Sequence, residues 1–533
     1  MAFAGTIYIL LYTDELEIVN PLGSKRGVHK LYVVYFSVLN IHPQFRSKIK
    51  HLHLVIIAKY ADVQRYGQHD VLKPLLTDLL TLQHEGLSIT RNGAVLTVNV
   101  IVNAFIGDNL SMNKLGGFTT SFSSGRVCRF CMAQAGDLTA LTREELCVLR
   151  TKAAHQKHLG AIASNPEMKK LYGVTEPSPL LALNYFDVTA QLPPDLMHDI
   201  FEGSLAYVIH HVLQGLVADC VLRPSDIEKV VHFRYGVNDK KNRPEAISET
   251  FLRDYHALRG TASQKWCLFR LLPLIIGSSI PEGNDHWCIY LAFREVVDLL
   301  LAEEVPIECV PYLEVRIQDF LIAFVAQYTS ARLIPKLHYL IHYPRFIVHF
   351  GPLKHYWCMR FEGKHQYFKT IASRVKNFRN ICKTLASRHQ LAQSYWLYGR
   401  SLDYSLTTTG AKQVDLSALK PCVAELAEQG LVWEVRFAAI QNATYHTGDI
   451  LILKKGENPE FSQVTALYVI SGKLYLLIED LHVDGFRRHR YSYKVRKTDY
   501  FRVTQPCQEA SYQRLDLYIG CEVMPNCEIS FCE

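Results

Sequence analysis

The 533-residue chain is 49% hydrophobic and 20% charged, which supplies ample apolar material for cores and excludes wholesale disorder. No apolar run nears the ~20 residues needed to cross a bilayer, and the first one, Ile7–Tyr12, is soon followed by Asp14 and Glu15, so a soluble, non-secreted protein is expected. The formal charge of +7 is modest for this length and does not by itself indicate a polyanionic partner.

At one domain per ~150 residues, about three or four units are expected. In chain order, Ile7–Thr13, Leu31–Val38 and Leu52–Ile57 are apolar or β-branched runs bounded by polar residues, which predicts three strands in a meander. Asp70 then offers a helix N-cap, with leucines at 72, 75, 76, 79 and 80 on one face, Pro74 in the first turn and an end near Gly86. Val95–Ile106 is β-rich and runs into Gly107-Asp108. The order β-β-β-α-β, with Asp14 ending the first strand and Asp108 following the fourth, is the skeleton of a ribonuclease H-like fold, in which adjacent parallel strands would bring these aspartates together. An aspartate after a strand is also a common turn former, and both readings stand at this point.

From residue 137 to 330 the pattern is mostly helical, with amphipathic stretches at Leu196–Val217 and Ala292–Leu301 and proline punctuation. Helical signals resume at Lys336–Tyr343 and from Arg360 to Tyr398. Past residue 440, short strands at Ile450–Lys454, Thr465–Ile470, Lys473–Ile478 and Tyr491–Val495 predict a small all-β, barrel-like module. The fold class expected is therefore α/β. Its predicted parts are a ribonuclease H-like core at 1–136 and 331–400, a helical insertion at 137–330, a linker at 401–439, the β module at 440–505 and a tail at 506–533.

The 14 cysteines are scattered, which predicts reduced core thiols in a reducing compartment plus one metal site. Cys128-Arg-Phe-Cys131 has the spacing that turns two sulfurs toward one Zn²⁺, with His155, His158 or His198 able to complete the set; two buried thiols beside Phe130 fit the spacing equally. Cys507, Cys521, Cys527 and Cys532 show no zinc spacing. Pro193-Pro194-Asp195-Leu-Met-His198 opens a helix on which Asp195, His198 and Glu202 share a face. Between Arg360 and Arg388 eight basic residues stand against one acid, Glu362, a local balance of +7 that equals the excess of the whole chain. Lys369, Lys376 and Lys383 follow Glu362 at intervals of seven, which on one continuous helix makes a cationic stripe, either a track for phosphates or a generic basic face.

These blocks together resemble the CACTA (EnSpm-like) and related Kyakuja-Dileera-Zisupton-like DDE transposases. Leu11–Ser24 resembles the first-aspartate block, Asn103–Phe118 followed by Cys128-x-x-Cys131 the second, Asp195-Leu-Met-His198 the D(2)H motif, and Tyr356–Lys369 with the basic tail Arg374–Asn380 the glutamate block. The resemblance spans Asp14 to about Trp396. It implies a transposon-derived nuclease and strand transferase in which Asp14, Asp108 and Glu362 are the catalytic ligands of two Mg²⁺ (or Mn²⁺) ions. Lys369, Arg374, Lys376, Arg379 and Lys383 would bind DNA. Cys128, Cys131, His158 and His198 would hold zinc, with Asp195 orienting His198 from behind.

DNA is the expected partner, with a nuclear address following from that substrate, and a homo-oligomer is anticipated. Met1 lies only 13 residues before Asp14, leaving no room in this sequence for a separate N-terminal DNA-binding domain; either the reading frame is truncated, end recognition lies in the C-terminal half, or a separate end-recognising or chromatin protein is a second partner. A second basic cluster, Phe486–Arg490 and Lys494–Lys497, could touch nucleic acid or carry ordinary hairpin charges. The alternative function is a host-retained DNA- or chromatin-binding protein that keeps the fold without cleaving.

Overall fold

The strand Thr6–Glu17 (β1) is apolar on both sides, with Ile9 and Leu11 on one face and Leu10 and Tyr12 on the other, all nearly inaccessible, so it belongs at the centre of a sheet covered twice. The computed structural model places it there. The structure describes residues 5–19, 27–253, 258–398, 406–415, 417, 419–427, 431–440, 443–456, 458–506, 514–518 and 521–524. Two compact units divide the chain: Met1–Ser204 with Glu303–Gly399, and Leu205–Ala302 with Arg400–Glu533.

In the first unit β1 pairs antiparallel with β2 (Lys30–Val38), which pairs antiparallel with β3 (His53–Lys59). The helix Tyr60–His84 (α1) crosses over, β4 (Leu87–Arg91) makes a hairpin with β5 (Ala94–Ile106), and β5 runs parallel to β1. The resulting mixed sheet has the order β3-β2-β1-β5-β4.

Two expectations change here. α1 begins at Tyr60, with Lys59 and not Asp70 at its N-cap; Gly67 (φ 83°, ψ 159°) interrupts its helical backbone, and Pro74 lies inside it. The strand β4 is additional: Asn92 (φ 51°) and Gly93 (φ 81°) form a two-residue turn with positive φ, which matches the right-handed twist of the hairpin.

Each face of the sheet has its own core. Leu72, Leu76 and Leu79 of α1 pack with Ile9, Leu11, Val34 and Val102, joined by Leu180, Phe186 and Leu192 from the connection that follows. On the other face Leu10, Tyr12, Val33, Tyr35, Ala104 and Ile106 meet Phe361 and Phe368 of the helix Met359–Val375 (α3) and Leu385 of the helix Ile381–Tyr398 (α4). The short helix Asn109–Leu115 (α2) follows β5 directly.

The predicted insertion at 137–330 is therefore not one block. Residues 137–204 and 303–330 belong to the first unit, because apolar side chains such as Phe186 and Leu192 complete its core; only 205–302 lies in the second.

In the second unit the helices Leu205–Ala218, Ala262–Ile276 and Asp285–Leu300 share a fold with the C-terminal strands. The buried Trp287 stacks on Tyr290 (4.6 Å) and donates its indole N–H to the His489 carbonyl (3.0 Å), which docks the Arg488–Arg490 turn onto these helices. The β region is antiparallel and lies beside them, not free of them. Its strands Ile450–Lys454, Glu460–Ile470, Lys473–Arg487 and Ser492–Thr504 belong to a sheet whose strand path is open among the described residues, in place of the expected barrel. The expected linker at 401–439 contributes Val432–Val435 to that sheet and Phe437–Ile440 to a smaller one. Residues 507–513 and 525–533, with Cys507, Cys527 and Cys532, lie outside the described residues. No described helix is long and apolar enough to cross a membrane.

His155 illustrates the cost of these cores. It is 2% exposed, lies 5.3 Å from the Phe118 ring, and neither ring nitrogen has a hydrogen-bond partner among the described residues. Burial, then the charge of Arg150, lowers its pKa from the ordinary 6.5 to about 4. A histidine depressed in the folded state is protonated more readily when unfolded, so its effect is a loss of stability as pH falls from about 6.5 toward 4. His155→Leu is expected to flatten that segment of the stability-versus-pH curve by up to ~3 kcal/mol, measured by urea denaturation from pH 7 to pH 4; an unchanged slope would refute it.

Candidate functional site

Strand parity and register bring the first two acids together. Asp14 has the parity of Leu10 and Tyr12, so its side chain faces α3, and it lies within β1, not beyond its end. Tyr12 is level with Ile106 in the parallel β1–β5 pair, which puts Asp14 level with Asp108. Gly107 permits the approach, since a Cβ there would lie 2.8 Å from the Thr13 carbonyl oxygen and 2.7 Å from the Met112 methyl carbon. Gly107→Ala is therefore expected to push the end of β5 from β1 and cost about 1–3 kcal/mol, read as a lowered melting temperature; an unshifted melt would show that the contact yields freely.

Asp14 is held at both oxygens. The Tyr12 hydroxyl donates to Oδ2 (2.9 Å) and the Glu15 backbone N–H to Oδ1 (2.7 Å), while His365 Nδ1 stands 3.7 Å from Oδ2. Burial is the main cause that raises its pKa to about 7; the charges of Glu362 and Asp108 push the same way, against the two hydrogen bonds. Asp108 caps α2, accepting the Ser111 N–H at 2.6 Å, so the turn-former reading is realised at the same residue that faces Asp14.

Glu362 sits in the first turn of α3, and His198 links it to Asp195: His198 Nε2 is 3.2 Å from Glu362 Oε1 and Nδ1 is 2.6 Å from Asp195 Oδ2. The other Asp195 oxygen accepts the Cys358 N–H at 2.7 Å. Burial disfavours an imidazolium at His198, yet the hydrogen bonds and charges of Asp195 and Glu362 prevail and raise its pKa to about 11, so it is a cation between two carboxylates. Burial raises the pKa of Glu362, opposed by His198 and assisted by Asp195 and Glu202.

The chain after Asp195 is a π-helical segment, Met197–Ser204, of the kind frequent at functional sites. A buried network ties it to the other blocks. Arg129, inside the CxxC, donates to Asn109 Oδ1 (2.6 Å) and the Pro193 carbonyl (2.9 Å), and Asn109 donates to Asp199 (2.5 Å).

The Cys128–Cys131 pair belongs to a second group. With His338 and His342 it places four buried ligand atoms within 4.8 Å of one another, an arrangement able to hold a metal ion. Cys128 Sγ lies 3.5 Å from His342 Nε2, and Cys131 Sγ 3.3 Å from His338 Nε2. Glu144 Oε1, 2.5 Å from His342 Nδ1, aims the opposite nitrogen at the sulfurs. The expected ligands His158 and His198 are elsewhere: His158 stacks on Tyr172 at 4.1 Å, and His198 serves the carboxylates. The missed signal was His338-x3-His342 in a predicted helical run, since residues four apart share a helix face. Asp195, His198 and Cys358 form another close group. Asp14, Asp108 and Glu362 form no such tight cluster; they are electrostatic neighbours across the end of β1 and β5.

The cationic stripe is not one helix. α3 ends at Val375, Lys376 adopts φ 54° as its cap, and α4 starts at Ile381, so Lys383 sits on a different axis from Lys369. Lys364 is internal, donating to the carbonyls of Ile49 and Leu52. Lys369, Arg374, Lys376, Arg379, Lys383 and Arg388 remain exposed.

The C-terminal basic cluster is largely neutralised: Arg487 and Arg490 meet Glu522 (3.1 and 2.6 Å), Lys494 and Arg496 meet Asp484 (3.9 and 2.8 Å), and Lys497 meets Glu479 (3.2 Å).

No family model matches the chain, and no curated protein matches it.

Proposed function

We propose that the chain is a DNA nuclease and strand transferase of the DDE class, built on a ribonuclease H-like core and resembling the CACTA (EnSpm-like) transposases. What supports this reading is that Asp108 and Glu362, drawn from distant parts of the sequence, come within electrostatic reach of Asp14 at one end of the parallel strand pair, although the three form no tight cluster. The β-β-β-α order, followed by a β4–β5 hairpin whose β5 runs parallel to β1, supports the core.

The donor set is of the kind that suits Mg²⁺ or Mn²⁺: hard carboxylate oxygens, of which Asp14 is largely buried and repelled by the charges of Glu362 and Asp108, a repulsion a divalent cation would relieve. Bound there, such ions supply an activated water or 3′-hydroxyl and stabilise the leaving oxygen of a phosphoryl displacement. The chain's own part is positioning. Tyr12 and the Glu15 N–H orient Asp14, Asp195 and His198 hold Glu362, and the exposed cations of α3 and α4 receive phosphates.

Zinc suits the Cys128, Cys131, His338 and His342 group. A tetrahedron with Zn–S ~2.3 Å and Zn–N ~2.0 Å has S···N edges of about 3.5 Å, close to the two separations given above. Its role is structural, joining the CxxC loop to the helical run that precedes α3.

One feature favours a second reading, a DNA- or chromatin-binding protein that does not cleave: Glu362 is already ion-paired to His198. Nicking of supercoiled DNA with Mg²⁺ or Mn²⁺, compared between the parent chain and its carboxylate variants, separates the two. A parent that binds DNA without nicking supports the second.

A further inference from the structure

On α4, Arg388, Leu391, Tyr395 and Tyr398 follow one another at spacings of three, four and three residues, along one ridge of the helix. The ridge is open to solvent, with Leu391 72%, Tyr395 64% and Tyr398 89% exposed. A single exposed apolar side chain needs no explanation, but a contiguous run of large ones does.

Charge narrows what can cover it. From Gly363 to Tyr398 the sequence has no acid, and the exposed Lys369, Arg374, Lys376, Arg379, Lys383 and Arg388 enter no ion pair with a described residue. An unpaired nucleic-acid strand offers both phosphates for such cations and bare base faces for the rings, whereas a duplex keeps its bases stacked inside and offers the rings nothing.

Position matters too. Tyr367 on α3 donates to the Arg388 carbonyl (3.3 Å), and Lys364 Nζ stands 5.9 Å from the Trp396 ring. α4 thus returns antiparallel along α3, and its tyrosine end lies at the level of the Glu362 turn.

We propose that this ridge binds an unpaired stretch of DNA beside the scissile bond, with Tyr395 and Tyr398 stacking on bases and Lys383 and Arg388 meeting phosphates. The inference rests on the reading that the chain acts on DNA and specifies the substrate as one with a locally opened strand.

The test uses the full chain in buffer free of divalent ions, so that binding is read apart from cleavage. The probes are a blunt duplex and the same duplex with an unpaired tail carrying 2-aminopurine. Tyr395→Ala and Tyr398→Ala are each expected to weaken binding of the tailed probe roughly five- to a hundredfold and to leave the blunt duplex within about twofold. Phe at either position should retain binding and the fluorescence change of the tail; Leu should lose both. Equal losses on the two probes, no loss, or full rescue by Leu would overturn the proposal. So would sedimentation showing that the parent self-associates and the alanine variants do not, which would make the ridge an interface between copies. Binding of the blunt duplex without preference for the tail overturns this inference and leaves the nuclease reading intact; binding of neither probe overturns both.

Discussion

Asp14→Asn is expected to eliminate metal-dependent nicking, with a loss of at least about a thousandfold, or ~4 kcal/mol of transition-state stabilisation. The amide keeps the size of the carboxylate, its oxygen can still accept from the Glu15 N–H and its NH₂ can donate to the Tyr12 hydroxyl, but it lacks the charge that a divalent ion needs. Asp108→Asn and Glu362→Gln should each have a comparable effect, and pairs of these changes should be little worse than single ones, because ligands of a shared ion pair act as a unit.

The same variant carries an opposite signature in stability. An acid whose pKa is raised to about 7 weakens the fold at every pH above its unfolded value, by up to about 4 kcal/mol once fully ionised. Asp14→Asn should therefore be more stable than the parent at pH 8 without metal, and the gain should vanish near pH 4. Thermal melts at the two pH values check the sign. A variant that is both inactive and destabilised at pH 8 would mean that the substitution damaged the fold and not the ligand set.

The second large effect concerns the Cys/His group. The purified chain is expected to hold one zinc per molecule, and Cys131→Ser or His338→Ala to lose it, with a cooperative loss of folded structure in the first unit. The magnitude follows from coupling: structural zinc contributes about 10–16 kcal/mol in small zinc domains at neutral pH, while whole proteins are stable by only ~5–15 kcal/mol. Without the ion, two thiols and two imidazoles would stay buried against one another. Metal analysis with circular dichroism melts reads both quantities. Full stability in a metal-free chain would remove the site, and Glu144→Gln should weaken zinc retention less than loss of a ligand, since it acts only by orienting His342.

Much of the first unit could be read from local pattern. Leu72, Leu76 and Leu79 face a core as their spacing requires, and β1 is apolar on both sides, as a central strand must be. The Cys128–Cys131 spacing and the nearness of Asp195 to His198 are also local, because three residues of chain decide them. The histidines beside the cysteine pair differ from those expected because proximity in sequence favours His158 and His198, whereas the fold brings His338 and His342 to the sulfurs from more than 200 residues away. The continuous cationic stripe failed for a smaller reason: a left-handed cap at Lys376 splits the helix, and seven-residue periodicity does not report such a break.

The division into units was likewise not local. Residues 137–204 are read from pattern as one block with the helices that follow them, yet their apolar side chains complete the core against β1 and β5, while 205–302 joins the C-terminal sheet through contacts such as Trp287 with His489. By itself the amino-acid order determined periodicity, caps, short-range ligand pairs and the excess of cations after Glu362, all consequences of neighbours along the backbone. Tertiary structure decided which distant groups share a site, because that depends on sheet register and on which apolar face covers which, and neither is written in any one segment.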